Sequence, residues 1–158
     1  MDLYSDITKY IDHSILKPDL TYRDIEDQCK LATEYKFASV CINPAFVKFA
    51  FEIVKNSPVK VCSVVGFPLG LNKIEIKVEE AFKSIEDGAT ELDIVWNITA
   101  FRSKDYDYIK RELKEITSQT EGVVRKVIIE TGFLTDEEKI LAVKMLIDYG
   151  VEFVKTST

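Results

Sequence analysis

The sequence has one histidine, His13, and three cysteines, Cys29, Cys41 and Cys62. There is no paired-histidine spacing and no Cys-x-x-Cys, so no metal site is expected. A Ser-His-Asp triad would have to use His13, and no Gly-x-Ser-x-Gly turn is present. The cysteines are odd in number and widely spaced, which fits reduced thiols in a cytoplasm and excludes a disulfide framework. No apolar run approaches the roughly 20 residues of a membrane span. Residues 1–10 carry acids and no apolar stretch, unlike a signal peptide. Lys/Arg clusters are also missing. Acids outnumber bases 27 to 21, for a net charge of −6, which argues against nucleic acid or an anionic membrane as a partner. No linker, repeat or low-complexity stretch interrupts the 158 residues, so they read as one domain. At 46% hydrophobic residues, the chain can bury a core and is not disordered.

What is present is an alternation of short apolar runs with amphipathic helices. Apolar stretches at 11–16, 38–42, 59–65, 91–96, 126–130 and 151–156 read as strands. Between them lie helical patterns. The first has Thr21 as N-cap, Asp24 at the third helical position, and Ile25, Cys29 and Ala32 on one face. The second has Asn43 as cap, Pro44 at the first position, and Val47, Ala50, Phe51 and Val54 as its stripe. The third starts near Asn72 and presents Ile74, Val78, Ala81 and Ile85. Ile109, Leu113 and Ile116 mark the fourth. The fifth opens on a Thr135–Glu138 capping box, presents Ile140, Val143 and Ile147, and ends at Gly150. A βα unit every 20–35 residues or so implies a parallel sheet flanked by helices. Both a doubly wound sheet and part of a (β/α)8 barrel fit this pattern. A whole barrel takes about 250 residues.

In either architecture the strands' carboxyl ends carry the chemistry. The polar residues in or ending the apolar runs are Asp12, Cys41, Asn43, Asp93, Lys126, Glu130 and Lys155. Alternation puts Glu91 and Asp93 on one face, Lys126 and Glu130 on one face, and Phe153 and Lys155 on one face. In a barrel these faces would bring two lysines and several carboxylates into one pocket. A carboxylate among Leu92, Ile94 and Val95 needs a partner. A lysine whose amine is lowered by burial or a nearby cation attacks a carbonyl and forms a Schiff base, an electron sink for the adjacent carbon–carbon bond. Each residue also has a plain alternative. Lys155 would snorkel to water, Lys126 would be a solvated strand-start lysine, Asp12 would cap a turn, Cys41 would be an inert thiol and Glu130 a strand-end ion pair. His13 reads as a packing or hydrogen-bonding residue. Gly66-Phe67-Pro68-Leu69-Gly70 reads as a strand-to-helix turn.

Six segments, taken in order, resemble one family: Ile11-Asp-His-Ser-Ile-Leu-Lys-Pro18, Ser39-Val-Cys-Ile-Asn-Pro44, Val64-Val-Gly-Phe-Pro-Leu-Gly70, Glu91-Leu-Asp-Ile-Val95, Lys126-Val-Ile-Ile-Glu-Thr131 and Phe153-Val-Lys-Thr-Ser-Thr158. They are similar to the strand motifs of the deoxyribose-phosphate aldolase family. The resemblance implies an α/β fold of the parallel (β/α)8 TIM-barrel type, here about six strands, and a class I aldolase that needs no cofactor. The substrate would be a small phosphorylated sugar, 2-deoxy-D-ribose 5-phosphate, cleaved reversibly to D-glyceraldehyde 3-phosphate and acetaldehyde. By motif, Lys155 matches the Schiff-base lysine, Asp93 the proton-transfer aspartate and Lys126 a lysine beside it. Asp12, Cys41 and Thr158 match substrate-pocket residues.

The family continues past Lys-Thr-Ser-Thr with two more strands, which supply a further lysine and much of the phosphate site. A chain ending at Thr158 is therefore expected to be an incomplete barrel domain that self-associates to cover its open edges. The competing readings are an inactive relative serving as an oligomerising or partner-binding module, and another phosphosugar enzyme on a doubly wound sheet.

Overall fold

Strands form where the apolar runs lie: β1 (Asp12–Ile15), β2 (Ser39–Ile42), β3 (Lys60–Val65), β4 (Glu91–Val95), β5 (Val124–Ile128) and β6 (Phe153–Lys155). The computed structural model of the chain describes residues 7–158. Of the segment 1–10 read above for a leader, residues 1–6 lie outside the described residues. The helices are α1 (Tyr22–Tyr35), α2 (Val47–Val54), α3 (Ile74–Glu86), α4 (Ile98–Arg102), α5 (Tyr106–Gln119) and α6 (Asp136–Asp148). The sheet order is β1-β2-β3-β4-β5-β6, and the pairs β1–β2, β2–β3, β4–β5 and β5–β6 are parallel. A doubly wound sheet reverses its strand order at a switch point. This order never reverses, so the chain has the single winding direction of the (β/α)8 barrel class. No helix among the described residues is long and apolar enough to cross a membrane.

The described residues gather into two compact units, one from the chain up to Ser63 with Ser84–Thr90, the other from Val64–Lys83 and Glu91–Thr158. In the first, Thr21 caps α1 through a full capping box with Asp24, which satisfies donors the first helical turn leaves open. Ile25, Cys29 and Ala32 then face a core shared with Ile15, Val40, Ile42, Val47 and Val61. Asn43 departs from its expected role. Its side chain makes no cap and its amide donates to the Leu16 carbonyl at 3.3 Å. Pro44–Phe46 is a short 3-10 turn, and α2 begins only at Val47. His13 donates from Nε2 to Gln28 Oε1 at 2.7 Å and packs on Phe37, which is a structural role. All three cysteines are buried thiols outside any disulfide, and burial pushes the Cys29 thiol up to about 11.

In the second unit three expectations shift. The buried face of α3 carries Ile74, Lys77 and Ala81, while Val78 is half-buried. On α6 the buried residues are Ala142, Met145 and Leu146, whereas Ile140 and Ile147 are exposed. Apolar and charged residues alternate around that helix, so its periodicity did not select a face. Strand β5 runs two residues earlier than the apolar run suggested; it ends at Ile128, short of Glu130, whose left-handed conformation (φ 41°) breaks the extended chain.

The turn after β3 is fixed by two glycines. The Gly70 amide donates to the Gly66 carbonyl at 2.7 Å, and both residues have φ near +65° to +69°. A Cβ on Gly70 would sit 2.0 Å from the Trp96 carbonyl oxygen. Gly70→Ala must therefore either push the end of β4 away or distort the turn. Left-handed strain and overpacking together give an expected loss of about 3 kcal/mol, measurable as a shift of the urea midpoint. A midpoint equal to that of the parent chain would show that the close approach does not persist in solution.

Candidate active site

Strand β4 alternates its side chains, so Asp93 points opposite to Leu92 and Ile94. Its neighbour in register on β5 is Lys126, and the neighbour of Lys126 on β6 is Phe153. Two residues nearer the carboxyl ends, Val95, Ile128 and Lys155 form the next row. Lys126 and Lys155 thus approach Asp93 from different rows. The Lys126 ammonium lies 2.7 Å from Glu91 and 3.2 Å from Asp93 Oδ1. The Lys155 ammonium donates to Asp93 Oδ2. Each carboxylate oxygen of Asp93 therefore faces a different lysine.

The two lysines differ in access. The Lys155 side chain is 27% exposed, against 7% for Lys126 and 1% for Asp93. Of the two lysines, Lys155 is the one that combines contact with the buried carboxylate and exposure to solvent. Strand β6 is held alongside β5 by a forked ion pair between Arg125 and Glu152, and the Ile129 amide donates to the Lys155 carbonyl at 3.0 Å. Lys126 is not the solvated strand-start lysine of the plain reading. With β5 beginning at Val124 it sits in mid-strand and is buried.

Beyond the strand ends lies a cavity of about 1090 Å³, bordered by Leu69, Ile98, Arg102, Glu130, Phe133 and Thr158 among others. Thr158 donates to Glu130 Oε2 through both its amide and its hydroxyl, at 3.2 and 2.8 Å. Glu130 is thus not a strand-end ion pair; it holds the segment that follows Lys155. Arg102 donates to the Phe133 carbonyl at 2.7 Å and pairs with Glu138 at 3.3 Å. Asp12 and Cys41 belong to the first compact unit. Asp12 is half-buried in β1 and accepts from the Ser39 hydroxyl at 2.8 Å. Cys41 is buried in β2, in register with Cys62 of β3.

Two charged residues escaped the strand-based reading. Lys77 on α3 and Glu112 on α5 are both fully buried and lie 2.7 Å apart. Lys77 also donates to the Val95 carbonyl at 2.8 Å. The second oxygen of Glu112 accepts from the Asn97 amide at 2.9 Å. Burial pushes the Lys77 amine below its ordinary range, and Glu112 opposes that shift. The signal for both was in the helical spacing. Lys77 falls three residues after Ile74 and four before Ala81, and Glu112 three after Ile109 and four before Ile116. Each is a charge on an apolar face, and such a charge needs a partner.

This arrangement has known relatives. The description of the DeoC/LacD family aldolases matches residues 7–158. The chain belongs to this aldolase family. A deoxyribose-phosphate aldolase from Thermoanaerobacter pseudethanolicus is 51% identical over 155 residues, covering 96% of this chain and 70% of the relative. One from Thermococcus gammatolerans is 52% identical over 157 residues, covering 97% and 70%. Among solved structures, the aldolase QR15 superposes with a TM-score of 0.94 at 50% identity, over 97% of this chain and 68% of that one. The deoxyribose phosphate aldolase of Aeropyrum pernix, described as tetrameric, gives 0.91 at 32% identity, over 99% and 66%. For this aldolase-family chain the parallel α/β architecture and the family stand together. The lysine–carboxylate cluster lies in β4, β5 and β6, all of them within the matched residues.

Proposed function

We propose that the chain is a class I aldolase acting on 2-deoxy-D-ribose 5-phosphate, with Lys155 as the imine-forming residue. The observation that carries this reading is the partly accessible Lys155 ammonium seated on the buried Asp93 carboxylate, whose other oxygen faces Lys126. The relatives named deoxyribose-phosphate aldolase supply the substrate.

In this reading the neutral Lys155 amine adds to the C1 aldehyde of the open-chain sugar. Loss of water gives an iminium. Removal of the C3 hydroxyl proton then lets the C2–C3 electron pair flow into the iminium. D-Glyceraldehyde 3-phosphate leaves, and an enamine remains. Protonation at C2 and hydrolysis release acetaldehyde and restore the amine. Asp93, directly or through water, is the group placed to carry these protons. Lys126, held between Glu91 and Asp93, supplies a fixed positive charge beside the carboxylate. No cofactor enters the scheme.

The same reading assigns Asp12, Cys41 and Thr158 to the lining of the sugar's pocket and places the protein in the cytoplasm. It includes self-association, which is supported by the exposed apolar residues Ile140, Ile147 and Phe153 and by the tetrameric relative.

Incubation with acetaldehyde, reduction with borohydride and peptide mapping test the assignment. The expected result is a single reduced adduct on Lys155. Labelling mainly on Lys126 or on surface lysines would refute it.

A further inference from the structure

We infer that the buried Lys77–Glu112 pair is a positioning device for Asp93, acting through the carboxyl end of β4. The inference rests on the proposed Schiff-base reading, which gives Asp93 its importance. It starts from what the two charges touch. Lys77 reaches from α3 to the Val95 carbonyl, and Glu112 reaches from α5 to the Asn97 amide. The pair therefore grips the backbone on both sides of Trp96. Val95 is only two residues beyond Asp93 in the same strand, about 7 Å along the chain.

The surroundings are shaped to let this happen. Gly66 has no side chain where the Lys77 stem passes, and a Cβ there would come within 2.8 Å of Lys77 Cε. On the other side, the Gly70 backbone closes on the Trp96 carbonyl. Asn97 in turn caps α4 by accepting from the Ala100 amide at 2.9 Å. The carbonyl of Val95, that of Trp96 and the amide of Asn97 are thus each set by a neighbour in the same compact unit.

Stability alone does not call for this pair. Well-packed apolar residues of similar volume commonly do as well as a buried ion pair or better. Charge-assisted hydrogen bonds to backbone groups are instead short and directional. They fix where a strand end sits, and Asp93 must hold its two oxygens toward two lysines at once. Misplacement of a reacting group by about 1 Å can cost on the order of 100-fold in rate. Lys77 and Glu112 are in this sense positioning residues and touch no substrate.

The test is the double variant Lys77→Met/Glu112→Leu, which removes both charges and leaves neither one stranded. It is compared with the parent chain in melting temperature, in deoxyribose 5-phosphate cleavage and in the NMR titration of Lys155. The expected result is an unchanged or higher melting temperature, kcat lowered about ten- to a hundred-fold with KM unchanged, and a Lys155 midpoint displaced by about half a pH unit or more as the Asp93 carboxylate moves. Unchanged kcat and an unchanged Lys155 midpoint would overturn the inference and leave the pair a core ion pair. Loss of the fold in the double variant would overturn it too, since the pair would then be a source of stability. If the parent chain itself does not cleave the sugar, it is the proposed function that fails. The Lys155 midpoint then decides the inference alone.

Discussion

Lys155→Met is expected to abolish imine formation with acetaldehyde and to leave no reduced adduct in the peptide map. Cleavage of deoxyribose 5-phosphate should fall by on the order of 10⁴-fold or more, the scale of loss when a covalent nucleophile is removed. The reason is positional. Lys155 joins the buried Asp93 carboxylate to solvent, whereas Lys126, the other lysine on that carboxylate, is buried and also engaged by Glu91. Lys126 therefore cannot take over the attack. Methionine matches the lysine stem and removes only the amine. Asp93 keeps Lys126, so the variant should fold. A coupled assay for glyceraldehyde 3-phosphate and a thermal melt read the two halves. Residual turnover near the parent rate in a folded Lys155→Met chain would move the nucleophile elsewhere.

The second large effect is expected at Asp93. Asp93→Asn keeps the size of the side chain and one carbonyl oxygen but can no longer accept a proton. Lys126 retains its 2.7 Å contact with Glu91, so the buried cation is not stranded and the sheet should persist. Cleavage should drop by about 10²–10⁴-fold, the usual contribution of a positioned acid–base group. Borohydride should still trap an adduct on Lys155, more slowly. The split between surviving adduct and lost turnover is the informative result. Turnover equal to the parent's would reduce Asp93 to a structural ion pair.

Much of the fold was legible because the physical signals were local. Thr21 with Asp24, and Thr135 with Glu138, form the capping boxes that their spacing announces. The strands lie within two or three residues of the apolar runs. What the runs left open was the winding: alternating strands and helices are common to doubly wound sheets and barrels, and only the unreversed order decides. The register of β5 depended on one residue. Glu130 stops the extended chain through its backbone conformation, and the strand begins at Val124, which leaves Lys126 in mid-strand rather than at its start. On α6, Ile140 and Ile147 are as apolar as Leu146, so a three-to-four spacing could be drawn through either set.

The cluster was legible for a different reason. A carboxylate inside Leu-Asp-Ile-Val, and lysines in two neighbouring apolar strands, conflict with burial unless they meet. The structure brings Asp93, Lys126 and Lys155 together. Lys77 and Glu112 sent the same signal from helices, where a charged residue is ordinarily assigned to the solvent side. Nothing in the spacing alone says that two such charges, 35 residues apart, answer each other. The link between Glu130 and Thr158 was equally hidden, since it joins a strand end to a loop through two donors on one residue.

The sharing of Asp93 between two lysines has a consequence for the proposed cycle. An ammonium carries three N–H donors, whereas the iminium formed from it keeps the positive charge and has one. Conversion of Lys155 to the iminium would thus leave the charge opposite Asp93 unchanged while withdrawing two of the donors available to that carboxylate. The attraction persists and the solvation thins. Asp93 would become the more ready acceptor at the stage when the C3 hydroxyl must lose its proton. Because the exchange conserves charge within a set of two lysines and two carboxylates, its energetics should respond little to added salt. The reaction's timing would then be written in hydrogen-bond count, with Lys126 and Glu91 as the fixed frame against which that count changes.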